Sequence, residues 1–146
     1  MYSEIRVDMP HTLSTENTLP KKERLYEKKR IDELFAQGKS FISYPLRVVY
    51  LEKENPEEDD VPVKVMVSVS KKYFKRAVKR NRVKRLIREA YRLNKAGFAS
   101  IADEKKCSFD IVFLFLKKEL PDYAEIEKAM LKTIAALQEK TKTVSE

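Results

Sequence analysis

The chain has one cysteine, one histidine and two glycines in 146 residues, and each scarcity removes a class of chemistry. A lone Cys107 cannot close an internal disulfide, and it leaves a structural zinc cluster short of ligands. With only Gly38 and Gly97 there is no glycine-rich loop to cradle a nucleotide phosphate. His11 falls in a stretch without sustained periodicity, so a serine or cysteine nucleophile has no firmly held histidine base. Carboxylates are plentiful, but none stands at a metal-ligating spacing. No apolar run approaches the roughly 18 residues that cross a bilayer. Glu4, Arg6, Asp8 and Glu16 break up any secretory-type apolar core at the start. These absences predict a cytoplasmic protein with no membrane partner, no metal site and no catalytic side chain of its own.

What the chain has in excess is positive charge. Its 31 lysines and arginines against 23 acids give a formal charge of +8 and a pI near 9.5, a balance that favours anionic partners. The hydrophobic fraction of 42% is enough for one packed core. Residues 1–20, with Pro10 and Pro20, are expected to form a disordered arm, residues 21–140 a single domain, and residues 141–146 a frayed tail.

Within the domain, Leu25, Ile31, Leu34 and Phe35 suit one face of a helix over Arg24 to Gly38, and Gly38 stands where helices commonly stop. Leu46 to Leu51 and the alternating run Val63 to Val69 predict two strands, joined as a hairpin across the acidic loop Glu52 to Asp60. Phe109 to Leu116 is almost wholly apolar, as in a strand covered on both faces. Pro121 and Asp122 open a last helix lined by Ile126, Met130, Ile134 and Leu137. The expected fold is a small α+β or α/β two-layer sandwich. Its order is helix, strand, strand, helix, strand, helix around one mixed sheet, with a crossover helix between two strands.

The crossover helix carries the strongest signal. From Ala77 the apolar residues Val83, Leu86, Ile87 and Ala90 recur at helical spacing, and the helix is expected to end near Gly97, before a polar connector from Ser100 to Lys106. At about 100° per residue, Asn81, Lys84, Arg85, Arg88, Arg92 and Lys95 gather on one face, with Arg80 and Arg82 beside them. A solvated helix usually intersperses signs; here only Glu89 interrupts the cations. Arginine's planar fork suits bidentate phosphate contacts, and Asn81 can bond a base edge or ribose. The pattern predicts nucleic-acid binding, extended upstream by Ser70, Lys71 and Lys72.

The spaced series Ser68-Val69-Ser70-Lys71-Lys72, Ala77-Val78, Arg80-Asn81-Arg82, Lys84-Arg85 and Arg88 resembles the protein subunit of bacterial ribonuclease P. The likeness extends more weakly from Lys21 to Leu137. It implies a protein that partners a catalytic RNA, whose magnesium-dependent cleavage removes the 5′ leader of precursor tRNA, with no obligate protein partner. It further implies that Arg80, Asn81, Arg82, Lys84, Arg85, Arg88 and Arg92 contact the catalytic RNA. Ile31, Phe35, Tyr50, Ser70, Lys71 and Lys72 would border a cleft for the leader, and the crossover would be left-handed, against the general rule. Two departures stand out: Tyr73 to Arg76 replaces a shorter glycine-asparagine turn, and Ile31 replaces a phenylalanine.

Three other readings use the same residues. A non-catalytic RNA-binding module of ribosome-associated type would need only the basic helix. A DNA-binding basic helix would want leucine heptads for a zipper, which are missing. A self-sufficient nuclease would need carboxylate-held metal.

Overall fold

A computed structural model describes residues 19–54 and 61–144. The elements are α1 (Lys28–Gln37), β1 (Lys39–Ser43), β2 (Leu46–Lys53), β3 (Val63–Val69), α2 (Ala77–Lys105), β4 (Ser108–Phe115) and α3 (Tyr123–Val144), with a 3-10 turn at Lys21–Glu23. The arm up to residue 18 and most of the acidic loop, residues 55–60, lie outside the described residues.

The four strands form one sheet in the order β1-β2-β4-β3. β2 is antiparallel to both β1 and β4, while β3 runs parallel to β4, so α2 is the crossover between two neighbouring parallel strands. The expected β2–β3 hairpin is absent. The hairpin joins β1 to β2 instead, through Tyr44 and a cis Pro45. β1, Lys39-Ser-Phe-Ile-Ser, carries too few apolar residues to stand out in sequence and is held by its pairing. β4 takes the central place because both its faces are apolar: Phe109, Ile111, Phe113 and Phe115 face the main core, while Val112 and Leu114 face the other side.

The main core lies between the sheet and the two long helices. Phe113 packs between Tyr91 and Phe98 of α2 at centroid separations of 6.3 and 6.2 Å. Val83, Ile87 and Ala90 from α2 and Ile126, Met130 and Leu137 from α3 complete it. The second face carries a smaller cluster of Leu25, Leu34, Val49 and Val112 beneath α1.

Several boundaries differ from expectation. α2 continues through Gly97 to Lys105, because Phe98, Ile101 and Ala102 still face the core. Gly97 serves close approach instead of a stop: a Cβ there would stand 3.0 Å from Ile134 Cδ1 of α3. The helix ends at Lys106, in the left-handed conformation with φ 54° and ψ 48°, whose N–H donates to Asp103. Gly38 ends α1 with φ −73°, so it too is chosen for space; a Cβ would meet the carbonyl oxygens of Leu34 and Tyr50. Leu19, expected in the arm, is buried in the main core, and Leu25 docks on the β3 edge through its N–H to the Val65 carbonyl at 2.8 Å. α3 extends to Val144, past the expected fray point.

One ionic cluster fixes α1 to the sheet. Asp110 on β4 is fully buried, and Arg30 of α1 holds it bidentately, with Nη2 to Oδ1 at 2.8 Å and Nε to Oδ2 at 3.2 Å. Lys53 of β2 adds a third contact at 3.3 Å. Removing one partner of a buried pair strands the other charge, a cost of about 3–5 kcal/mol. Because Lys53 remains beside the carboxylate, Arg30→Met is expected to lower stability by about 3 kcal/mol, read as a lower urea midpoint with unchanged m-value.

Candidate nucleic-acid interface

Sorting of charge on α2 survives folding. Asn81, Arg82, Arg85 and Arg88 are exposed, and Lys84, Arg92 and Lys95 are half-exposed, while the opposite face is buried. The chain entering from Leu19 and Arg24 runs alongside this face and turns it into a groove of about 480 Å³. Asn81, Arg85, Arg88, Glu89 and Arg92 form its helix wall. Arg24 is held there by its own Nε–H bond to the Leu19 carbonyl at 2.8 Å. Partial desolvation, and after it the nearby Arg24 charge, pull the Arg88 guanidinium below its usual pKa. The guanidinium stays cationic at neutral pH, so the groove gathers like charges that an anion would relieve. Lys95, three residues beyond Arg92 on the helix, pairs with Glu23 at 3.3 Å and is balanced by it.

Arg80 behaves differently from its neighbours. Its Nη1 donates to the carbonyls of Phe74 and Lys75, both at 2.8 Å, just before the helix begins. It acts as a clasp for the loop that delivers α2. Phe74 anchors the same loop from below, buried and stacked on Phe115 at 6.1 Å. The longer Tyr73–Arg76 segment is thus a plugged and clasped turn. Ser70 organises its start: its Oγ accepts from the Lys72 N–H, and its carbonyl from the N–H groups of Tyr73 and Phe74. Lys71, Lys72, Lys75, Arg76 and Lys79 all project to solvent around the helix N-terminus. No acid stands in that first turn, so the helix dipole adds to the positive potential.

The residues expected to border a leader cleft divide between two places. Ile31 and Phe35 border the second face of the sheet, Ile31 packed on its small cluster and Phe35 half-exposed at 50%. Tyr50 is not with them. It points into the main-core face, 5% exposed, with edge-on contacts to Phe41 and Phe109 at 5.9 and 6.4 Å. The register of β2 puts Arg47, Val49 and Leu51 on the α1 side instead. Alternation along Leu46, Val48 and Tyr50 was the available signal, but the doublet Val48-Val49 hides which member faces which side. On this second face Ile42 is exposed and Leu114 half-buried, an open apolar strip beside Arg47 that the sequence did not reveal.

Among the described residues no group of three or more His, Cys, Asp or Glu side chains converges as metal ligands. Cys107 is buried, and burial pushes its thiol up to about 12, helped by Glu52; it is a protonated core side chain. No helix of the described residues is long and apolar enough to cross a membrane.

A four-stranded mixed sheet with a cationic crossover helix and a partly uncovered second face defines a class of small basic α+β proteins. Comparison with known proteins narrows it. The ribonuclease P family model matches residues 19–138. The ribonuclease P protein component of Porphyromonas gingivalis is 47% identical over 116 residues, covering 80% of this chain and 83% of that one. Among solved structures, the ribonuclease P protein of Thermotoga maritima superposes with a TM-score of 0.60 at 25% identity, over 77% of this chain and 94% of that one. A Staphylococcus aureus ribonuclease P protein shares the fold, with a TM-score of 0.58 at 20% identity over 79% and 94% of the two chains. The chain belongs to the ribonuclease P protein family.

The clasp has a measurable signature. Arg80→Ala is expected to cost about 1.5–3 kcal/mol, the range for hydrogen bonds from a charged donor. Arg80→Lys, which lacks the fork, should recover only part of it in thermal or urea unfolding.

Proposed function

We propose that the protein is the RNA-binding subunit of ribonuclease P, assisting an RNA-catalysed endonucleolytic cut that frees the 5′ end of tRNA from its leader. The observation that carries this reading is the α2 groove, in which Asn81, Arg85, Arg88 and Arg92 converge with Arg24. Closely spaced guanidiniums complement closely spaced phosphates, and releasing the counterions of the RNA supplies the affinity. In this reading the groove, with Arg82 and Lys84 on its flank, docks the catalytic RNA, and Arg80 shapes the loop before it. The precursor's leader lies on the second face, where Ile31 shares a cluster with Val49 and Leu114, with Phe35 on α1, Arg47 on β2 and Ser70, Lys71 and Lys72 just after β3. An unpaired base finds an aromatic ring in Phe35 and a stacking guanidinium in Arg47.

The protein's part is electrostatic and positional. Cations between two polyanions offset their repulsion, and an ordered surface for the leader raises substrate affinity without touching the scissile bond. Magnesium in this reading belongs to the RNA and its substrate, since the one fully buried carboxylate among the described residues, Asp110, is consumed by Arg30 and Lys53. Action in the cytoplasm is part of the same reading.

The deciding assay incubates precursor tRNA and magnesium with the protein, with and without the catalytic RNA. Stimulation only in the presence of the RNA supports the proposal. Cleavage by protein alone would favour a nuclease, and binding without stimulation a ribosome-associated module. Arg82→Ala/Arg85→Ala/Arg88→Ala is expected to weaken binding to the catalytic RNA and to flatten its salt dependence. The slope should fall by about 0.7–0.9 log units per lost phosphate contact. Phe35→Ala is expected to weaken binding of leader-bearing precursor by about 1–3 kcal/mol, the range for one base–aromatic stack, and to leave leaderless tRNA unchanged in the same titration.

A further inference from the structure

The α2 groove holds one residue that its cations do not explain. Glu89, half-buried, lines it together with Asn81, Arg85, Arg88, Arg92 and Arg24. Arg85 stands four residues before Glu89 and Arg92 three after, the spacings at which a helix pairs opposite charges. Among the described residues, Glu89 nevertheless closes an ion pair with neither. Tyr123, at the start of α3, is close enough that Glu89 adds to burial and Glu127 in raising its phenol to about 12. The Tyr123 hydroxyl is buried and makes no hydrogen bond among the described residues, so it does not occupy the carboxylate either.

Hydrogen-bonding capacity in the groove is lopsided. Four guanidiniums supply donors and no acceptor, and Asn81 supplies some of each. Such donors take phosphate oxygens, which RNA and DNA present alike. Glu89 is the acceptor-only side chain of the lining, so it recognises a hydrogen-bond donor. On a nucleic acid the donors are base amino and imino groups and, in RNA, the ribose 2′-hydroxyl.

Two considerations favour the ribose. Glu89 adjoins Arg88 in the chain and lies within about one turn of Arg85 and Arg92, so what it meets stands beside the phosphates those arginines hold. The 2′-hydroxyl belongs to the backbone next to each phosphate, whereas base donors point away from it. A carboxylate brought close to phosphate is also repelled unless a proton donor comes between them. A 2′-hydroxyl supplies that donor and forms a charge-assisted bond.

We propose that Glu89 makes the α2 groove selective for RNA over DNA, by accepting a hydrogen bond from a ribose 2′-hydroxyl of the catalytic RNA beside the phosphates held by Arg85, Arg88 and Arg92. The arginines then provide affinity and the carboxylate discrimination. This role rests on the groove as the docking site for that RNA. A carboxylate that only diluted the positive charge would weaken every polyanion alike.

The test partitions a pool of catalytic RNA, each molecule carrying sparse 2′-deoxy substitutions, by binding to the full chain, and reads which positions are depleted from the bound fraction. With the unmodified protein, a position in the groove's footprint should be depleted about tenfold, the worth of one hydrogen bond to a charged group. Glu89→Ala should abolish depletion at that position and keep it elsewhere. Glu89→Gln, which retains an acceptor oxygen, should keep part of it. Each position is scored against the rest of the same pool, so the change in net charge and any small change in stability cancel. A pattern unaltered in both variants is what a simple counter-charge gives, and it would overturn the proposal. So would a Glu89-dependent depletion that follows inosine in place of guanosine, because the carboxylate would then be reading a base. Failure of the unmodified protein to bind the catalytic RNA would instead overturn the underlying function.

Discussion

The buried carboxylate of Asp110 is the constraint around which the binding architecture is arranged. It sits on the central strand, fully out of water, and an isolated charge there would be untenable. Arg30 reaches down from α1 to meet it and Lys53 from β2, so the helix is tied at one end to the middle of the sheet. Glu33 and Glu27 extend the network outward, pairing with Lys53 and with Arg30 and Lys64. A short helix of ten residues has little stability of its own. Its ionic anchor and the small cluster around Leu34 keep it over one part of the second face. Ile42 and Arg47 stay uncovered on that face, and Phe35 stands exposed on α1.

The long helix solves a different problem. Its inner face is committed to the sheet and α3 by Val83, Ile87, Tyr91 and Phe98, so its cations have no freedom to turn inward. Accumulating them on one side costs self-repulsion, and the fold concentrates that cost instead of relieving it. Arg24 is brought against Arg88, and the helix N-terminus points its dipole at a cluster of lysines. A surface held in this condition is preorganised for a polyanion, because binding relieves a repulsion already present.

Legibility in the sequence followed the range of the forces involved. Helical period and charge sorting are local, and α2's two faces were plain from Val83 to Arg92. The apolar run of β4 announced a strand buried on both sides. Gly38 does end α1, as its place in the sequence suggested, but Gly97 misled: it looks like a helix stop, whereas it serves close approach to a neighbour that only folding supplies. The hairpin was misplaced for a similar reason: β1 has weak strand character and exists by pairing with β2. Arg80 looked identical in kind to Arg82, and only the carbonyls of Phe74 and Lys75 distinguish the clasp from its solvent-exposed neighbour.

The sequence by itself determined that the protein is basic and gathers a row of cations on one face of one helix. Family membership was written in the spacing from Ser68 to Arg88. Only the tertiary structure decided which groups share a surface: that Leu19 and Arg24 wall the α2 groove, and that Val49 and not Tyr50 faces α1. The physical reason is that a strand's side chains change face with each residue. A register set by distant pairing therefore decides partnership, and no local pattern encodes it.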